Sequence, residues 1–83
     1  MAYNIDYKNS VKRDLKKLDK ADARRILDGL EDDLSSDPEA YPQLKGEFAG
    51  LRKYRVGDYR VIFAILDQRV LVLKIGHRKD VYR

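Results

Sequence analysis

From Leu51 to Arg83 the chain carries nine Lys/Arg against three Asp, and the cations recur at positions that strand geometry can bring together: Lys53, Arg55, Arg60, Lys74 and Arg78. Like charges gathered on one surface repel one another unless an anion covers them. Phosphate is the fitting guest, because each Arg presents a fork of donors to its oxygens. Tyr82 adds a ring on which an unstacked base can lie. Such a surface also has a reaction open to it. RNA brings its own nucleophile, the 2′-hydroxyl, so cutting it requires in-line alignment, a proton acceptor, charge stabilisation and a donor for the leaving 5′-oxygen. Positioned donors each stabilise such a transition state by roughly 2.7–4 kcal/mol. Lys53, crowded by arginines, is the candidate proton acceptor. Lys53, Arg55, Arg60, Lys74 and Arg78, with Tyr82 arriving from the tail, are thus the candidate site cluster, and Arg52 and Lys79 are further candidate RNA-binding residues. Single-stranded RNA suits a short sheet surface better than a duplex, whose readers present a helix or ribbon to a groove.

These residues need a sheet to align them. Leu51–Val56, Tyr59–Leu66 and Arg69–Ile75 read as three strands, joined by tight turns at Gly57-Asp58 and Asp67-Gln68. Successive side chains of a strand point to opposite faces. Lys53 and Arg55 therefore oppose Arg52, Tyr54 and Val56, and Arg60 shares its face with Ile62 and Ala64. Alternation on the last strand groups Val70, Val72 and Lys74 with the Arg60 face and leaves Leu71, Leu73 and Ile75 for the helices. Arg78 continues the Lys74 and Gly76 parity.

Upstream, Tyr3, Ile5 and Tyr7 alternate with polar residues as in a half-buried strand over Ala2–Tyr7. The period then changes. Tyr7, Val11, Leu15 and Leu18 mark a first helix capped by Asn9 or Ser10, and Asp19 to Asp22 resembles a capping box opening a second. That second helix shows the apolar stripe Ala23, Ile26, Leu27, Leu30 and Leu34. Gly29 within it costs about 1 kcal/mol relative to Ala and marks close packing on the sheet or the first helix. Asp37-Pro38 ends the helix, and residues 37–50 form a loop back to the sheet. The predicted fold is α+β, a single domain over 1–83: an N-terminal strand, a two-helix hairpin, then a three-stranded antiparallel meander with the helices on one sheet face.

Composition excludes several classes. With no Cys among the 83 residues there is neither a disulfide frame nor a thiolate metal site, and a lone His77 makes no metal centre. The longest apolar run, Val61–Leu66, is far below the roughly 20 residues that span a bilayer. The N-terminus lacks a basic-then-apolar leader, so a cytoplasmic protein without membrane contact is expected. Residues 1–50 hold nine basic and eleven acidic side chains, so the basicity is local to the last third. His77, opposite Arg78 in parity, reads as turn packing rather than as an acid–base group. Asp28, Glu31, Asp32 and Asp33 spread over an exposed helix face and read as solvated. Lys12, Arg13, Lys16 and Lys17 form a basic helical patch, solvated or facing RNA. Tyr3, Tyr7, Tyr54 and Tyr59 are expected around the sheet with their hydroxyls at its rim.

The element order, with Arg55-Val56-Gly57-Asp58-Tyr59-Arg60 at the first hairpin and Gly76-His77-Arg78 followed by Val81-Tyr82 at the end, resembles the RelE/ParE toxin superfamily, and within it the RelE branch. The resemblance covers essentially the whole chain. It implies a toxin of a type II toxin–antitoxin pair, an mRNA interferase that enters the ribosomal A site and cuts the codon there without metal or other cofactor. Its implied partners are a RelB-like antitoxin, the ribosome and mRNA. By position, Arg60 matches the family's transition-state-stabilising arginine, Arg78 the arginine tied to leaving-group protonation or phosphate contact, and Tyr82 the base-stacking tyrosine. Lys53 matches one of two strand lysines. The place of the second holds Leu51, or Arg52 if the register slips. Two other readings fit the same superfamily: a ParE-like, non-catalytic inhibitor of DNA gyrase, and an inactive or regulatory member.

Overall fold

The fold is seen in a computed structural model, which describes residues 2–79. Strand β1 (Asn4–Tyr7) leads into helices α1 (Asn9–Lys17) and α2 (Lys20–Gly29), and α2 runs on through a π-helical turn over Leu30–Leu34. After a loop with two short 3-10 turns come β2 (Arg52–Val56), β3 (Tyr59–Leu66) and β4 (Arg69–His77). The sheet order is β1-β4-β3-β2, with β1 parallel to β4 and the other pairs antiparallel. The α+β arrangement is the predicted one, and β1 takes an edge.

Both helices cover one face of the sheet because only that face is continuously apolar. Val11 of α1, Ile26 of α2 and Leu30 and Leu34 of the π turn are fully buried against Val61, Phe63, Val70 and Val72. Tyr3, Ile5 and Tyr7 pack against the same core, as their alternation requires. The helix caps differ from expectation. Lys8 stands at the N-cap of α1 and Asp19 at that of α2, and neither side chain makes a capping bond. Asn9 and Ser10 lie inside the first turn instead, where Val11 and Lys12 donate their amides to the Lys8 carbonyl.

Alternation also fails at one place in β4. Cross-strand partners share a face, and Phe63 pairs with Val72 and Ile62 with Lys74, which leaves Leu73 as the extra residue of a β-bulge. Val70, Val72 and Ile75 thus face the helices, not Leu71, Leu73 and Ile75 as strict alternation has it. The physical reason is the core itself. With Val70 and Val72 buried, unbroken alternation would drive the Lys74 ammonium among apolar side chains, and the inserted residue returns it to water.

Gly29 is the close contact anticipated. A Cβ there would stand 2.7 Å from the Tyr54 hydroxyl, which donates to Asp33 Oδ2 at 2.5 Å. Burial first, and then that hydrogen bond and charge, raise the Tyr54 phenol well above its ordinary range. Gly29→Ala is therefore expected to destabilise the fold by about 1–3 kcal/mol despite its gain in helix propensity, since Tyr54 must give way and Asp33 lose its donor. A urea titration with the midpoint at or above that of the parent would disprove this. The Tyr7 hydroxyl departs from the rim expectation, being buried with no hydrogen-bond partner in the described structure.

Candidate active site

On the face of the sheet that carries no helix, β2, β3 and β4 hold the candidate site residues. Val56, Gly57, Asp58 and Tyr59 form a two-residue hairpin in which Gly57 takes φ +58°, the left-handed value that the first position of a II′ turn needs. Val56 pairs with Tyr59, so the next pair is Arg55 with Arg60. In such a hairpin this second pair is the non-hydrogen-bonded kind, in which side chains stand closest. Two guanidinium groups thus face one another across adjacent strands. Below them lies a row of three, Lys53 on β2, Ile62 on β3 and Lys74 on β4, each directly opposite its neighbour. Opposite Arg60 on β4 is Gly76, which has no side chain.

This arrangement brings Lys53, Arg55, Arg60 and Lys74 onto one surface. Among the described residues the ion pairs recorded are Arg24–Asp28 and Arg69–Asp6, so no carboxylate neutralises Lys53, Arg55 or Arg60. Arg78 is exposed in the turn after β4, and its amide donates to the Asp58 carbonyl at 2.8 Å. That bond holds the Arg78 backbone beside the β2–β3 turn, at the end of the sheet where Arg55 and Arg60 pair. Lys79 is exposed in that turn, with its amide donating to His77 Nδ1 at 3.3 Å. Tyr82 lies outside the described residues.

Arg52 belongs to the other face. Its guanidinium donates to the carbonyls of Tyr41 at 2.7 Å and Glu39 at 3.1 Å, so it fastens the preceding loop and takes no place among the cations of the open face. That loop is more ordered than its prolines imply. Gln43 bridges to Arg52, Lys53 donates its amide to Pro42, and Leu44 donates to Leu51, covering the outer edge of β2. It thereby sets Tyr41 and Pro42 beside Lys53, Arg55 and Arg60 around an open cavity of about 340 Å³. The Tyr41 ring is held edge-on against Tyr54 and Phe63, at centroid distances of 5.1 and 6.5 Å. Its phenol titrates above the ordinary range because of burial, with Asp33 and Asp37 adding to the effect. Sequence reasoning missed this aromatic wall, since nothing local marks a loop residue for return to the β2 edge.

His77 lies on the helix side, as parity implied. Its ring meets Tyr59 edge-on at 6.0 Å, in a second cavity that includes Asp22, Arg25 and Asp58. The Tyr59 hydroxyl reaches Asp22 Oδ2 at 3.5 Å, and its phenol is shifted upward by desolvation and the Asp22 charge. The sheet separates this histidine from Arg60. No group of three or more metal-ligating side chains occurs among the described residues, and no helix there is long and apolar enough to cross a membrane.

A family profile described as the ParE toxin of type II toxin–antitoxin system, parDE, matches residues 5–82. The chain belongs to the RelE/ParE toxin superfamily. The toxin is 33% identical over 86 residues to Toxin RelG of Mycobacterium tuberculosis, a match that covers 100% of this chain and 99% of that one. Among solved structures it superposes on the RelBE2 toxin–antitoxin complex of the same organism with TM-score 0.85 and 29% identity, over 94% of this chain and 100% of that chain. The archaeal RelE–RelB complex of Pyrococcus horikoshii gives TM-score 0.70 and 32% identity, over 98% and 100% of the two chains. The fold and the toxin assignment expected from the hairpin and the Gly76-His77-Arg78 segment are those found.

Proposed function

We propose that this toxin is a ribosome-dependent endoribonuclease that cuts mRNA in the A site through attack of the 2′-hydroxyl on the adjacent phosphate, with no metal or cofactor. The observation that supports the reading is the register that gathers Lys53, Arg55, Arg60 and Lys74 on one open face, with Arg78 at its end. A bent ribonucleotide linkage laid across this face meets Arg60 at its phosphate, where charge grows in the transition state. Lys53 receives or orients the proton of the 2′-hydroxyl, and Arg78 serves the leaving 5′-oxygen or a flanking phosphate. Arg55 and Lys79 grip neighbouring phosphates, and Tyr82 stacks on a base. Arg52, with its donors on loop carbonyls, contributes by holding the Tyr41 and Pro42 wall.

Between cuts such a face requires cover. A RelB-like antitoxin with an acidic segment supplies it, neutralising the cations and excluding RNA in one step. The cytoplasm, which holds ribosomes and message, is where the toxin acts.

A second reading, gyrase inhibition without catalysis, is favoured by one observation, the ParE description of the family profile that spans residues 5–82. Primer extension on message from induced cells separates the two. Endoribonuclease action predicts cuts within translated codons that vanish when initiation is blocked. Intact message with accumulating double-strand DNA breaks would replace it with the gyrase reading, and neither product would indicate an inactive or regulatory member.

A further inference from the structure

We propose that Lys74 is a second lysine of the cleavage site, supplying positive charge from β4 across the open face from Lys53. The inference rests on the endoribonuclease reading. Lys53 and Lys74 are the two cross-strand partners of Ile62, one on each side of β3. At about 4.8 Å per strand their backbones stand roughly 10 Å apart, a gap that two lysine side chains can close over. Arg60 lies two residues from Ile62 on the same strand and the same face. A phosphate held by Arg60 is then flanked from the β2 side by Lys53 and Arg55. From the β4 side the position directly opposite Arg60 is Gly76, which offers no group. The contribution of β4 falls to Lys74 within the strand and Arg78 beyond its end.

The bulge is the structural device behind this. Val70, Val72 and Ile75 are buried, a spacing of two and then three residues, and the extra residue Leu73 is what turns Lys74 to the Arg60 face. Ile62 is 1% exposed although its register puts it on the side away from the helices, with Lys53 and Lys74 as its cross-strand partners. Keeping a charge out of the core would explain the bulge alone, and catalysis adds a requirement that burial does not: the charge itself must matter.

Lys74→Met keeps the aliphatic stem and removes the charge, whereas Lys74→Arg keeps the charge. Single-turnover cleavage on message-programmed ribosomes is expected to slow roughly 100-fold in Lys74→Met and less than fivefold in Lys74→Arg. Affinity for ribosomes carrying an uncleavable 2′-deoxy codon should stay within about threefold in both, a split that a folding defect would not produce. A Lys74→Met rate within threefold of a cutting parent overturns the inference and leaves the endoribonuclease reading in place. Equal loss in the Met and Arg variants overturns it too, since charge would not be the property used. A parent that does not cut removes reading and inference together.

Discussion

Arg60→Ala is expected to lower the rate of codon cleavage by roughly 10²–10³-fold and to abolish growth arrest, with no loss of thermal stability. Arg60 is the central cation of the open face, on the strand between those that carry Lys53 and Lys74 and directly opposite Arg55. A donor aimed at a phosphate oxygen contributes most when negative charge builds there, so its removal reaches the chemical step more than binding. Stability should move the other way. Like charges placed directly across two strands are destabilising, by a few tenths of a kcal/mol to about 1 kcal/mol, and truncation at Arg60 relieves the pair. Single-turnover cleavage and a thermal melt on the same preparation provide the check. Retained toxicity would remove Arg60 from the chemistry, and a melting temperature lowered by about 5 °C or more would show that its role is in the fold.

Much of the site was legible because β structure encodes facing in parity. Gly57 before Asp58 announced a tight turn, that turn fixed the register of β2 on β3, and the register in turn put Lys53 and Arg55 opposite Ile62 and Arg60. No residue identity beyond these was needed. The prediction went astray where a local rule met a tertiary demand. Alternation through Val70, Val72 and Lys74 contains no bulge signal, and only the cost of burying an ammonium group shows why Leu73 is inserted. It led to the right face for Lys74 with the wrong company, since Val70 and Val72 belong to the core.

The remaining errors have similar causes. Arg52 looked like one more cation in a basic run, yet parity turns it away, and the carbonyls of Glu39 and Tyr41 satisfy it. Those carbonyls sit more than ten residues upstream, beyond any local pattern. Tyr41 escaped notice for the same reason. Asn9 and Ser10 have the chemistry of caps, but α1 starts one residue too early for Asn9 to serve and two too early for Ser10. Gly29 went the other way. A glycine that penalises a helix invites a packing explanation, and the Tyr54 hydroxyl provides it.

On the reading proposed here, the open cationic face cuts RNA with the substrate's own 2′-hydroxyl. That reading is tested most directly by giving the purified toxin ribosomes programmed with either an all-ribose codon or one bearing a single 2′-deoxy sugar at the scissile position. The expected result is cleavage of the first to a 2′,3′-cyclic phosphate and a 5′-hydroxyl end, and no detectable cleavage of the second. Equal cutting of both messages, or cutting of neither, would contradict it.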